Sequence, residues 1–147
     1  MGRRAGIGPV GLSLLAVLAG CVSTAPGFQR VGVQTVGPGG RAHKEVEANG
    51  LMSGAHLSGP PGPPRVYQEK GIPMPSADLQ RLAELVAEVD AAGQGDAAPD
   101  RSSYEQVELT GPDGRRRVFT AADPMSFQPS AVAKIYGLVA RQRVGGW

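Results

Sequence analysis

Glycine and proline divide this chain so finely that one stretch stands out as able to form a long helix. The 147 residues include 22 glycines and 13 prolines, and neither type occurs between Pro75 and Gly93. Within residues 76–92, Leu79, Leu82, Leu85, Val86 and Val89 recur at helical spacing and make one apolar face, while Gln80, Arg81, Glu84 and Glu88 lie largely off it. Ser76 suits the N-cap, and Asp78 places a negative charge in the first turn, where the helix dipole favours it. Gly93 can take the left-handed conformation that ends a helix.

On either side of this helix the pattern changes to short extended segments. Residues 28–36 alternate, with Val31 and Val33 in phase, and Gly37-Pro38-Gly39-Gly40 is a turn signal. Residues 41–48 then read as the returning strand of a hairpin. A second hairpin joins residues 103–110 to residues 115–121 through Gly111-Pro112-Asp113-Gly114, where proline sets one torsion and glycine accepts a positive φ. After Pro129, which fits the first turn of a helix, Val132, Ile135, Leu138 and Val139 form another apolar face.

Residues 51–75 show no sustained period. Their Gly59-Pro60-Pro61-Gly62-Pro63-Pro64 run excludes helix and removes strand donors, so the segment reads as a stiff exposed loop, with Val66-Tyr67 able to add a short edge strand or anchor it. The order hairpin, helix, hairpin, helix predicts an α+β domain over residues 28–147: a small antiparallel sheet from two hairpins, covered by two amphipathic helices.

The N-terminal 21 residues follow other rules. Arg3 and Arg4 precede a short apolar run, Val10 to Leu18, and Leu18-Ala19-Gly20-Cys21 closes it. The run is shorter than the roughly 20 apolar residues of a membrane span, and has the layout of a secretory signal. It resembles the lipobox of bacterial lipoproteins. That resemblance implies removal of residues 1–20, lipidation of Cys21, and a short polar tether over residues 21–27. Val22 after the cysteine, in place of Asp, implies the outer membrane facing the periplasm. Several acyl chains hold a protein to a membrane where one alone binds reversibly.

Loss of Arg3 and Arg4 changes the charge balance. The precursor carries +2, whereas the chain from Cys21 onward has 13 basic and 13 acidic residues. A neutral domain lacks the electrostatic footprint of nucleic-acid binding. Cys21 is the sole cysteine, which leaves no disulfide and no thiolate metal site.

Side chains able to do chemistry are sparse. His43 and His56 stand thirteen apart, outside any ligand spacing, and read as a surface strand residue and a loop residue. No GxSxG motif or phosphate loop occurs. No catalytic residue, metal or cofactor is expected. The one charge concentration is Arg115-Arg116-Arg117, in which Arg115 and Arg117 would share a strand face and meet phosphate, anionic glycan or an acidic protein patch. The alternative role is protection of an edge strand against aggregation, with Glu105 or Glu108 neutralising the arginines across the hairpin.

Four stretches, GPGGRAHKEV, PSADLQRLAELVAEVD, YEQVELTGPDGRRRVF and the closing helix, resemble the emfourin-type inhibitors of thermolysin-like metalloproteases. The resemblance covers about two thirds of the chain after Cys21 and rests on small, apolar and turn residues; residues 51–75 and the lipid anchor depart from it. It implies a non-catalytic domain that binds a protein partner, a protease or an envelope component. The competing expectation is a structural or assembly lipoprotein of the envelope.

Overall fold

The structure is a computed structural model describing residues 27–59, 62, 65–92 and 102–144. Within these, the chain is α+β. Six strands form one antiparallel sheet: β1 (Arg30–Gly37), β2 (Gly40–Glu47), β3 (Leu51–Ser58), β4 (Arg65–Pro73), β5 (Tyr104–Thr110) and β6 (Arg116–Ala121). Two helices, α1 (Ser76–Ala92) and α2 (Ser130–Ala140), lie on one face. The strand order is β4-β3-β2-β1-β5-β6. Strands β1 to β4 are a meander, and α1 carries the chain back so that β5 pairs with β1.

Both expected hairpins are present, as are both helices. The first turns at Gly37–Gly40, and Gly40 has φ +133°. A Cβ there would lie 2.1 Å from the Leu57 carbonyl oxygen of β3, so the tight turn and the close approach both require glycine. In the second hairpin the Gly111 and Arg115 backbones bond at 2.8 Å, and Gly114 takes φ +83°.

The reading of residues 51–75 as a loop is corrected. Leu51–Ser58 and Arg65–Pro73 are strands, paired along their length as a third hairpin. Hydrogen bonds to β2 and to each other hold them, not an alternating apolar pattern: β4 is exposed at all nine residues. His56 accordingly belongs to a strand. One residue of β4, Gly71, has no opposite number on β3 and takes φ +76°, the geometry of a bulge.

The core lies between the sheet and the helices. Val31, Val33, Val46, Met52, Val107, Leu109 and Phe119 face Leu82, Leu85, Val86 and Val89 of α1 and Val132, Ile135, Leu138 and Val139 of α2, all buried. These helix residues are the apolar faces expected from spacing. α1 starts near the β2–β3 turn, where Leu79 lies against Gly50, and its last turn reaches β6 through an Asp90–Arg117 ion pair. The start of α1 and the end of α2 are joined: Asp78 accepts from Arg141 at 3.0 Å and from Gln142 at 3.1 Å.

The last described residues cross the sheet. Lys44, on the helix side of β2 and 3% exposed, donates to the carbonyls of Ala140 at 2.5 Å and Gln142 at 2.6 Å. A cation here satisfies carbonyls that a helix end leaves open and opposes the negative end of its dipole. Burial pushes the Lys44 ammonium below its ordinary pKa. Beyond it, Val144 is buried over Gly54 of β3, where a Cβ would stand 2.8 Å from the valine side chain. Thus the Lys44 side chain closes the end of α2 together with the backbone N–H of Arg141, which donates to the Gly137 carbonyl.

Candidate functional site

The sequence directs attention first to the arginines, and the structure gives the three different surroundings. Arg116 opens β6 and faces away from the helices, paired with Glu108 at 2.8 Å. Arg117 faces the helices: it pairs with Asp90 of α1, and its guanidinium stands 5.8 Å from the centre of the Phe119 ring. Arg115 precedes the strand, its backbone N–H donating to the Asp113 side chain at 3.0 Å and its side chain exposed. Of the two expected neutralising residues, Glu108 engages Arg116. Glu105 points instead to the helix side, where its carboxylate accepts from Tyr136 at 2.5 Å and from Thr35 at 2.6 Å.

That Tyr136–Thr35–Glu105 group was not legible as a cluster. Its members stand on α2, β1 and β5, and the β1–β5 register sets Thr35 directly opposite Glu105. The Tyr136 hydroxyl also lies 2.6 Å from Thr35, and its ring packs against Phe127 at 5.6 Å between centres. Burial, then the Glu105 hydrogen bond, push the Tyr136 phenol up to about 12. The two hydroxyls and one Glu105 carboxylate oxygen, Oε2, bond to one another, an arrangement that fixes α2 on the sheet.

His43 lies on the sheet face away from the helices, 3.3 Å from Glu45, which also binds Arg30 at 3.1 Å. His56 lies on the opposite face beside Tyr67, with ring centres 6.4 Å apart. Among the described residues, no three of His, Cys, Asp or Glu gather as metal ligands would. None of the described helices is long and apolar enough to cross a membrane. Cys21 and the signal segment lie outside the described residues.

Apart from Met125, 85% exposed in the short turn before α2, the large apolar side chains left exposed among the described residues lie at the other end of the sheet. The helices cover β1, β2, β5, Met52 of β3 and Phe119 of β6, and β4 projects past them. Val66 is 67% exposed, Tyr67 51%, and Leu51, Leu57 and Ile72 are exposed on the same two strands. Leu57 lies opposite Val66 on the open face, while Tyr67 and Ile72 face the helix side. β4 also ends the sheet, so the N–H and C=O groups along its outer side have no strand beside them among the described residues. Residues 65–70 are the regular part; the Gly71 bulge and Pro73 interrupt the rest. Sequence reading offers Val66-Tyr67 as a short edge strand, which the structure extends to Arg65–Pro73; the proline run masks the strand's length and β3 before it.

No protein-family model matches this chain, and no curated protein matches it either.

Proposed function

We propose that this chain is a lipoprotein of the bacterial envelope, anchored through Cys21 and carrying a non-catalytic domain that binds protein at β4. The observation that carries the binding reading is an end strand with nine exposed residues, bordered by apolar side chains on both faces. An extended segment of a partner can add to such an edge: main-chain hydrogen bonds supply affinity, and contacts with Val66, Tyr67 and Ile72 supply selectivity. Inhibition of a metalloprotease is the narrowest form of this proposal and rests on the emfourin resemblance. The outer membrane, facing the periplasm, is the proposed location and rests on the residues around Cys21.

The test is capture from envelope and secreted fractions with the full chain as bait. A stoichiometric partner is expected, and Val66→Asp together with Tyr67→Asp should abolish its capture while the melting temperature stays within a few degrees. A zinc protease as that partner would establish the inhibitor form. Co-fractionation with a large envelope assembly, unaffected by these substitutions, would favour the structural reading instead. Cys21→Ser should move the chain from the membrane to the soluble fraction; retention in the membrane would refute the anchor.

A further inference from the structure

We propose that the segment which adds to β4 is β4 of a second copy of this chain, giving a symmetric dimer with one continuous twelve-stranded sheet. The inference rests on reading β4 as a docking edge and adds the identity of its occupant.

Register and charge along β4 select this occupant. Arg65, Tyr67 and Glu69 stand opposite Ser58, His56 and Gly54, so the three share the helix-side face of β4. Along that face the strand presents a cation, an aromatic ring and an anion in turn. When two such strands run antiparallel with Tyr67 opposite Tyr67, Arg65 of each copy falls opposite Glu69 of the other. Directly opposed residues in an antiparallel pair share a face and interact, whether as aromatic or as opposite-charge pairs. A two-fold axis normal to the sheet generates this arrangement and leaves both helical layers on the same side.

Symmetric registers centred further along the strand are poorer. Shifting the centre to Glu69 sets two carboxylates face to face, and like charges directly opposed are unfavourable. Centring on Gln68 sets Val66 against Lys70 and leaves Arg65 opposite the Gly71 bulge. The Tyr67-centred register uses only residues 65–69, which lie wholly within the regular part of the strand. The proposal does not require Glu69 to be idle: it keeps its contacts within its own chain, and the second copy's arginine adds to them.

The experiment is disulfide trapping in the full chain at its membrane. Cys21 is the only native cysteine, so the parent chain supplies the background. Opposed Cα atoms in such a pair stand about 4.5–5.5 Å apart, within the span a disulfide bridges. Tyr67→Cys should give a crosslinked dimer under mild oxidation, at least five-fold above parent, Gln68→Cys and Thr120→Cys on the far edge strand. Adding Arg65→Glu should cut that yield several-fold, and Arg65→Glu with Glu69→Arg should restore it, since the exchange re-forms both pairs. β4 is fully exposed, and unchanged melting temperatures check that each variant folds. Equal yields at positions 67 and 120, or no rescue by the exchange, would overturn the dimer. Linkage of Tyr67→Cys to a different protein would overturn self-pairing yet leave β4 as a docking edge. Absence of any adduct at position 67 would overturn both.

Discussion

Tyr136 brings a phenol to the helix–sheet boundary, where it is 9% exposed and donates to a carboxylate. With its pKa raised to about 12 from an ordinary 10.0, the folded state holds the neutral form over a range in which an unfolded chain would lose the proton. The stabilisation is therefore complete below pH 10 and disappears as pH rises from 10 through 12, by up to about 2–3 kcal/mol. Tyr136→Phe keeps the ring against Phe127 and removes the titrating group. Urea unfolding at several alkaline pH values should show the native chain losing stability faster than the variant between pH 10 and 12. Parallel curves would contradict the assignment. Lys44 has a pKa displaced downward and contributes an opposite trend, but it is common to both proteins and drops out of the comparison.

At the scale of elements, the seat of the C-terminal segment on β3 makes a sharp test. A Cβ at Gly54 would lie 2.8 Å from the Val144 side chain and 3.1 Å from its backbone, too close for valine alone to yield. Gly54→Ala should cost about 1–3 kcal/mol, the usual penalty of overpacking, measured by denaturant midpoint. Combining it with Val144→Ala should cost less than the sum, because both changes act on one contact. Helices and hairpins bounded by glycine and proline were legible in the sequence. The first helix spans the expected residues 76–92, with Gly93 outside the described residues, and the expected apolar positions are buried apart from the half-covered Leu79, while Ala131 and Tyr136 join the buried face of the second helix without having been marked by spacing. β3 was not legible, and β4 only as a short edge strand at Val66-Tyr67, for a physical reason. A strand half covered by helices leaves an alternating apolar pattern, whereas β4 projects past them and is held by pairing to β3, which periodicity cannot register. Gly54 and Gly71 further diluted the signal, one making room for Val144 and the other forming a bulge. The same blindness hid the docking edge, and the separation of Thr35, Glu105 and Tyr136 along the chain hid their cluster.

For the whole molecule, the sheet divides into a supported half and a projecting half. β1, β2 and β5, with Met52 of β3 and Phe119 of β6, carry the core, and the ion pairs at Asp78 and Asp90 tie the helices down around it. Burial, capping and pairing occupy the chemistry of that half, including Arg117, one of the two arginines expected to bind a partner. β4 is left as the long exposed edge, and the account predicts that contacts with other proteins concentrate there. The direct measurement is photocrosslinking in living cells, with a photoreactive residue placed in turn at positions 67, 115, 120 and 134 of the full chain. Position 67 on β4 should give a discrete adduct, while Arg115 in the second hairpin, Thr120 on β6 and Lys134 on α2 should give none above background. A discrete adduct at position 115 with none at position 67 would contradict the account and return the binding surface to the arginine hairpin.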